Sequence, residues 1–292
     1  MTMETLITGI TDGQKKQVKR FSEDAIDRAI ADGLLGDKDG TQKLIENGDE
    51  FQARIITAIR ELSVSNQFAD EEVSSSYTYP KGYKVKGITE QTNILRQLFP
   101  GIGFADEKIA EQTLPSNAEG WFAIPKWETL APTYGEAVEK VLAMIASKRK
   151  FYNYRDGHLG AEYLRQHVKT VKMFQKLGDE QKDFDILVVP AQFGLRHKGR
   201  SVRRGREVFI VNEFGLGAFA IGIMLLTHPE REIQWEQLHI DCAGDEYAPD
   251  GDGEFVHAPD FGWSDGGLSF GTHWTGNVHG QFGSASGFLP QN

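Results

Sequence analysis

The chain has 292 residues, a formal net charge of −10, and 39% hydrophobic and 11% aromatic residues. This composition excludes a disordered chain, and the length suits one large domain or two modest ones. The negative charge excludes polyanion binding over the whole surface, so any contact with nucleic acid must be local. The one cysteine, Cys242, excludes an intramolecular disulfide and fits a reducing cytoplasm.

Membrane association is not expected from the sequence. Residues 1–6 lack the basic start and apolar run of a signal peptide. The longest apolar run, residues 214–226, has 13 residues, which is fewer than the roughly 20 of a membrane-spanning helix. We expect a soluble, cytoplasmic protein without membrane contact, in which this run is buried.

Residues 1–66 are predicted to be helical. Val18, Phe21, Ile26 and Ile30 follow helical spacing, and a second apolar face begins after Asp49. The polar stretch 67–87, rich in Ser and Tyr, is predicted to be a linker. A mixed α/β domain with a β-rich C-terminus is predicted over 88–292.

In that domain, helices and strands alternate. Helices are predicted from Glu90, from a capping box at 133–136, and over 161–177. Short apolar runs at 121–124 and 186–189 predict buried strands, the second closed by Pro190. The sequence Asp-Gly-Gly at 265–267 predicts a hairpin. The fold class is therefore α+β (mixed), with N-terminal helices, a central covered sheet with helices, and a β-rich C-terminal region.

Residues 212–226, 244–247 and 282–290 carry a resemblance that extends over most of the chain. In these segments the chain resembles an uncharacterised family of hypothetical proteins from uncultured bacteria. The resemblance implies no activity, ligand or site.

Residues 196–206, here called the basic segment, hold six permanent cations in eleven residues of an acidic chain. Ser201 is predicted to cap a helix that places three arginines in its first two turns, beside backbone N–H groups that suit phosphate. Residues 148–155, the aromatic–basic segment, interleave cations with rings on which bases can stack. The predicted phosphate- or nucleic-acid-binding residues are Arg196, Lys198, Arg200, Arg203, Arg204, Arg206, Lys148, Arg149, Tyr152, Tyr154 and Arg155.

A structural interpretation of the basic segment competes with this one. Glu207 lies three and four residues after Arg204 and Arg203 and is placed to pair with both. The arginines are equally suited to neutralise acidic patches elsewhere in the chain, or to dock on an acidic patch of another copy. Docking on another copy would make the protein an assembly protein that forms homo-oligomers.

Residues 241–254, the acidic segment, pack six carboxylates into fourteen residues. Alternating carboxylates and nearby histidines are ligand types for a divalent cation, although Asp and Gly are also ordinary turn residues. No other cofactor is indicated. The predicted metal ligands are Asp245, Glu246, Asp250, Asp252 and His257.

The acidic segment also suggests an enzyme, a metal-assisted, hydrolase-like protein with His239 or His257 as base or ligand. In the alternating strand 238–242, His239 and Asp241 share one face and Cys242 points to the other, toward the core. Three functions thus stay open: a soluble protein that binds a phosphate-bearing partner such as nucleic acid, a hydrolase-like enzyme, and an assembly protein.

Overall fold

A computed structural model describes residues 12–35, 38–63 and 66–290. The expectation for residues 1–6 lies outside these ranges, as does part of the predicted 1–66 region. The chain divides into two compact units, Met1–Ser63 and Val64–Asn292.

The described residues form eight α-helices and eleven strands, which confirms the α+β class. The helices are α1 (Asp12–Ala31), α2 (Lys38–Glu46), α3 (Gly48–Ser63), α4 (Ile88–Leu98), α5 (Tyr134–Lys148), α6 (Val168–Glu180), α7 (Val202–Val208) and α8 (Ala218–Thr227). The strands are β1 (Gly120–Pro125), β2 (Phe151–Asn153), β3 (Leu164–Gln166), β4 (Ile186–Gln192), β5 (Glu213–Gly215), β6 (His239–Asp241), β7 (Asp245–Tyr247), β8 (His257–Ser264), β9 (Gly267–Trp274), β10 (Phe282–Ser284) and β11 (Ser286–Phe288).

The described residues of the first unit form helices α1, α2 and α3. The apolar spacing of Val18 to Ile30 lies within α1, and Gly33 follows the helix with a φ of 73°, the left-handed conformation that favours glycine. In the described part of the chain, no helix combines the length and apolar character needed to cross a bilayer.

Residues 67–87, predicted to be a linker, lie within the second unit and are hydrogen-bonded to other parts of it. The amide of Val73 donates to the carbonyl of Gly199 at 2.7 Å, and Leu238 donates to the carbonyl of Thr78 at 2.9 Å. These bonds connect the stretch to residues more than 120 positions later in the chain.

The first sheet is antiparallel and has the strand order β1-β4-β11-β5. All residues of β1 and β4 are buried, as the unbroken apolar runs predict. The predicted end of β4 at Pro190 is wrong. The strand continues to Gln192 because β11 pairs with Ala191 and Gln192 from the other side.

The second sheet has seven strands, with the order β10-β6-β8-β7-β3 and with β9 joining β8 to β2. The predicted hairpin is confirmed as β8 and β9. Its two turn residues, Asp265 and Gly266, have φ angles of 49° and 74°, as a tight two-residue hairpin turn requires.

The helix predicted over 161–177 is partly wrong. Residues 164–166 form β3, which pairs with β7, and the helix begins only at Val168. Val168 and Val171 are exposed, so this helix buries a narrower face than the apolar spacing predicts.

Candidate functional site

The helix of the basic segment is α7, and its arginines are paired with carboxylates. The hydroxyl of Ser201 accepts from the amide of Arg204 at 3.1 Å, which confirms the predicted cap. The guanidinium of Arg203 donates to the carboxylate of Glu71. That of Arg204 donates to Glu72 at 2.5 Å. Hydrogen bonding to Arg203 holds the pKa of Glu71 below its usual value, against the smaller opposing effect of burial.

Two further cations of the basic segment have partners within the chain. Arg200 lies 3.2 Å from a carboxylate oxygen of Glu72. Arg206 donates to the backbone carbonyls of Ala243 and Asp245, at 2.9 and 2.6 Å. These contacts match the structural interpretation, in which the arginines offset acidic and carbonyl groups of the same molecule.

The start of the basic segment surrounds a buried carboxylate. Glu213 accepts from Arg196 at 3.2 Å, from His197 at 2.7 Å and from Ser286 at 2.7 Å. The bond from His197 and the nearby charges outweigh burial and lower the pKa of Glu213. Lys198 donates to the carbonyl of Tyr77 at 3.1 Å.

The aromatic–basic segment is divided between two places. Lys148 ends α5, and Arg149 follows it and reaches the carbonyl of Pro229 at 3.4 Å. The rings of Tyr152 and Tyr154 stack with centroids 6.4 Å apart. Tyr154 and Arg155 line a cavity. Among the described residues that line it, none belongs to the basic segment.

Within the acidic segment, the carboxylate of Asp245 accepts hydrogen bonds from other parts of the fold. Its carboxylate accepts from the amide of Ala218 at 2.7 Å, at the start of α8, and from the hydroxyl of Tyr134 at 2.8 Å. Burial raises the pKa of Asp245 to about 7, although both hydrogen bonds oppose this rise. The carboxyl group therefore caps a buried helix.

The other predicted metal ligands lie apart from one another. Glu246 pairs with Arg165 at 2.8 Å, and Asp250 and Asp252 are exposed in a turn. His257 begins β8. Across residues 12–35, 38–63 and 66–290, no group of three or more His, Cys, Asp or Glu side chains is placed to hold a metal ion. The divalent-cation site stays a prediction.

The second sheet has one apolar and one polar face, because side chains alternate along its strands. Ile240, Phe261 and Phe270 lie opposite one another on β6, β8 and β9 and belong to the core. The next row places Asp241 beside Asp260 and Asp260 beside Gly271. Two carboxyl groups thus lie side by side on a face with little exposure to solvent.

The polar face contains an open position above Gly262. A methyl group added at Gly262 would lie 3.3 Å from Nδ1 of His239 and 3.5 Å from both Oδ1 of Asp260 and Oγ of Ser269. Three polar atoms from three strands therefore lie close together where Gly262 has no side chain. The absent side chain at Gly262 gives a ligand atom or water room to contact all three.

His239 presents an unbonded nitrogen to this position. Its Nε2 contacts the carbonyl of Gln234 at 3.2 Å and the amide of Gln281 at 3.0 Å, while Nδ1 is buried without a hydrogen bond. Burial lowers the pKa of His239 to about 4. The imidazole is therefore neutral at pH 7 and can donate or accept a hydrogen bond.

Asp260 is the second group at this position. Its carboxyl has no hydrogen-bond partner among the described residues, although its side chain is 9% exposed. Burial raises the pKa of Asp260 to about 7, and the charge of Asp241 adds to the rise while His273 and Arg155 oppose it. A carboxyl group that titrates near neutral pH suits proton transfer.

His273 and Asp241 form an ion pair beside Asp260. Nε2 of His273 lies 2.8 Å from Oδ1 of Asp241. Burial opposes the charged imidazole, but the charge and hydrogen bond of Asp241 prevail and raise the pKa of His273 to about 9. The pair places a fixed positive charge next to a carboxyl group that can lose its proton.

His239, Asp260, Gly262 and Ser269 line a cavity of about 340 Å³, here called the Gly262 cavity. Tyr154, Trp235, Trp263 and Arg155 are among its lining residues. Three of its lining residues, Arg155, His239 and Thr272, each have a buried polar atom without a partner. Such atoms are costly in a folded protein and indicate a place that a ligand or water completes.

A larger cavity of about 660 Å³ lies elsewhere in the second unit and is bordered by Trp127, Tyr134, Phe174 and Phe219. Among its described lining residues, none has a buried polar atom without a partner. The Gly262 cavity is therefore the better candidate site, despite its smaller volume.

Sequence reasoning identified His239 and Asp241 as chemically interesting but missed Asp260. The available signal was its place in a strand, next to Phe261 and so on the opposite face from the core. Comparison of the chain with protein-family models, curated proteins and solved structures gives no match to any of them.

Proposed function

We propose that the protein is a hydrolase-like enzyme and that the Gly262 cavity is its active site. The observation that carries this proposal is Asp260, an unbonded carboxyl group with a pKa of about 7 at the edge of an open position. A general base or acid works best when its pKa lies near the working pH.

In the proposed reaction, a water molecule occupies the position above Gly262. Ionised Asp260 takes its proton while the water oxygen bonds to an electrophilic centre of the substrate, and neutral His239 and Ser269 orient the water by hydrogen bonds. Protonated Asp260 then returns the proton to the leaving group as it departs with the bonding electron pair. Arg155 lies where it can stabilise negative charge that develops on the substrate.

The cavity lining indicates the substrate class. Its volume, about 340 Å³, suits a small molecule rather than a polymer segment. The flat faces of Trp235 and Tyr154 favour a ring, and the polar floor favours hydroxyl or carbonyl groups. The proposed substrate is a small polar molecule that contains a sugar or aromatic ring.

A measurement without substrate tests whether the Asp260 carboxyl group titrates near pH 7. We expect a side-chain carboxyl carbon signal in ¹³C NMR that titrates near pH 7 and disappears in Asp260→Asn. Asp245, which has a similarly raised pKa, is assigned separately with Asp245→Asn. If the Asp260 carboxyl titrates near pH 4 instead, the proposed acid–base role is wrong.

Activity is then sought with p-nitrophenyl esters, glycosides and phosphates. Turnover should increase with pH through about 7 as Asp260 ionises and fall near 9 as His273 loses its charge. The exposed acid Asp183 supplies a matched control, because Asp183→Asn makes the same chemical change away from the cavity. Hydrolysis that persists in Asp260→Asn would rule out this site.

Binding of a phosphate-bearing ligand is the second proposed function, and Arg155 favours it. This cation and Tyr154 belong to the predicted phosphate-binding set and line the Gly262 cavity, and Nε of Arg155 has no partner. Titration calorimetry with nucleoside monophosphates should give binding that Arg155→Gln weakens. Equal affinity in both proteins would exclude this role for Arg155.

Nucleic-acid binding by the basic segment stays a prediction. Its test is DNA and RNA binding across a salt series, because phosphate contacts make affinity fall steeply with salt. Salt-sensitive binding that Arg203→Glu with Arg204→Glu abolishes would support the prediction. Absence of binding at low salt would leave the segment with its structural role.

A further inference from the structure

The larger cavity of the second unit, here called the α6 cavity, is built by several elements of that unit. Its lining residues come from β1 and the turn after it, from the starts of α5 and α8, from β3 and β4, and from α6. On α6, Val171, Phe174 and Gly178 follow one another at spacings of three and four residues, so they share one side of the helix. The cavity volume, about 660 Å³, is in the range of small-molecule sites.

The interior of the α6 cavity is apolar. Ile124, Leu187 and Ala220 line it and are buried. Four further lining residues are aromatic, namely Trp127, Tyr134, Phe174 and Phe219. The hydroxyl of Tyr134 already has a partner within the fold, because it donates to the carboxylate of Asp245 at 2.8 Å. In the part of the chain that the structure describes, this lining contains no buried donor or acceptor that a ligand has to satisfy.

The charged lining residues balance one another. Two are basic, Lys126 and Lys182, and two are acidic, Glu128 and Asp179. The ammonium of Lys126 donates to the carbonyl of Gln181 at 3.2 Å, and the other three side chains are exposed. Because both signs occur equally, a charged ligand would lose hydration on entering the cavity without gaining a net opposite charge. The lining therefore favours an uncharged ligand.

Helix α6 leaves space in the cavity at Gly178. Glycine in a helix lowers its stability relative to alanine, so a helical glycine usually has a packing reason. Packing does not require this one. Among the described residues, a methyl group added at Gly178 would have one neighbour within 4 Å, Cε of Lys126 at 3.9 Å. Two turns earlier, Val171 is 44% exposed although it lines the same cavity. Both residues keep the side of α6 that lines the cavity accessible.

We propose that the α6 cavity is a second small-molecule site, which binds an uncharged compound with aromatic rings. The apolar interior, the aromatic lining residues and the balanced charges together define this ligand class. The site is independent of the reaction proposed for the Gly262 cavity, since the two cavities have no described lining residue in common. Failure of one proposal therefore leaves the other intact.

A matched pair of fluorescent probes tests the ligand class on the full chain. N-phenyl-1-naphthylamine is uncharged, and 1-anilinonaphthalene-8-sulfonate has the same rings with an added sulfonate. We expect saturable binding of the uncharged probe, and at least about tenfold weaker binding of the sulfonate because its charge loses hydration. A wild type that binds neither probe, or that binds the sulfonate as tightly, would overturn the proposal.

Substitution of Gly178 tests the location. Gly178→Leu fills part of the cavity and favours the helix, so binding of the uncharged probe should weaken at least about tenfold while the urea midpoint stays the same or increases. Gly178→Ala adds one methyl group and should keep most of the affinity. Glu180→Leu is the matched control, because it places the same side chain at an exposed position of α6 outside the lining. This variant should bind the probe as the wild type does.

Two further variants complete the test. Val171→Asp changes an exposed helical residue of the lining and does not depend on packing a larger side chain, and it should weaken binding because it places a charge against the probe. Trp235→Leu removes a ring from the lining of the other cavity and should have no effect. Undiminished binding in both Gly178→Leu and Val171→Asp, or loss of binding in Trp235→Leu, would place the probe elsewhere and overturn the proposal.

Discussion

The basic segment and the Gly262 cavity both concentrate ionisable groups, but the two regions satisfy them differently. In the basic segment, Arg203 and Arg204 donate to the carboxylates of Glu71 and Glu72. In the Gly262 cavity, Nδ1 of His239 and Nε of Arg155 are buried without a hydrogen-bond partner among the described residues. The region with the higher charge density in sequence is therefore the more completely satisfied one.

The energetic consequences of the two arrangements are opposite. A paired arginine and carboxylate stabilise each other modestly, whereas a buried polar atom without a partner costs about 1–3 kcal/mol. A buried polar group that lowers the stability of the fold and has no structural role is typical of groups that act on a ligand. In this protein, buried groups without partners therefore locate the candidate site better than the run of like charges in the basic segment does.

The largest expected effect concerns activity at the Gly262 cavity. Replacing Asp260 by Asn keeps the shape of the side chain but removes the group that exchanges a proton. General acid–base catalysis contributes about 100- to 10,000-fold, so kcat/KM for a substrate found in the screen should fall by at least about 100-fold. Steady-state kinetics measure the loss.

The matching change in the basic segment should leave this activity intact. Arg203→Gln alters a paired cation outside the lining of the cavity and should keep kcat/KM within about twofold of the wild type. If Arg203→Gln reduces kcat/KM as much as Asp260→Asn does, the two regions do not differ in the way described.

The next effect is on stability, at the buried end of the basic segment. Glu213→Gln removes the charge that Arg196 and His197 share, and weakens the bond from Ser286. Loss of one partner in a buried charged network leaves the others uncompensated, so the free energy of unfolding should fall by about 2–4 kcal/mol. Urea denaturation measures the change.

An exposed acid is the control for Glu213. Asp183→Asn should change the free energy of unfolding by less than about 0.5 kcal/mol. A loss at Glu213 as small as this would mean that the network is solvated and contributes little.

Much of the fold could be predicted from the sequence, because local signals decided it. The capping box at Thr133, the cap at Ser201 and the hairpin turn at Asp265 each depend on a few neighbouring residues, and the structure contains all three. The prediction was wrong where a distant strand decided the outcome. Residues 164–166 became β3 because β7 pairs with them.

The candidate site could be predicted only in part, for the same reason. The alternation of His239 and Asp241 with the buried Cys242 was readable from one strand. The position of Asp260 beside Asp241 depends on the register between β6 and β8, which the sequence does not state. Glu71 and Glu72 lie about 130 residues from Arg203 and Arg204 in the chain, so these two pairings were equally hidden. The pair of Arg204 with Glu207, three residues away, was predicted and is present at 2.8 Å.

A smaller effect links pH to the unsatisfied carboxyl group. The pKa of Asp260 is raised from its usual value near 4 to about 7, so the folded state binds more protons than the unfolded state in this window. Its contribution to stability therefore falls as pH increases from about 4 to 7. Asp260→Asn removes this penalty and should increase the free energy of unfolding by about 1–3 kcal/mol at pH 8, but not at pH 4.

Denaturant unfolding of both proteins at the two pH values measures this difference. Asp183→Asn should show no pH-dependent gain, since its carboxyl is exposed. Equal stability of Asp260→Asn and the wild type at pH 8 would mean that the ionised carboxyl is solvated in the cavity, which would weaken the contrast between the two regions.

The smallest expected effect is the coupling between Arg203 and Glu71. Both side chains are partly accessible, with 32% and 12% exposure, so water competes with the pair and salt screens it. A double-mutant cycle with Arg203→Gln and Glu71→Gln should give a coupling energy of about 0.5–1 kcal/mol that decreases with salt. The single change Arg203→Gln should cost more than this, because Arg203 also lies 4.7 Å above the ring of Trp274.

A coupling energy near zero would mean that Glu71 does not hold Arg203 in solution. The arginine would then be available to a phosphate, and the basic segment would regain its place as a binding surface.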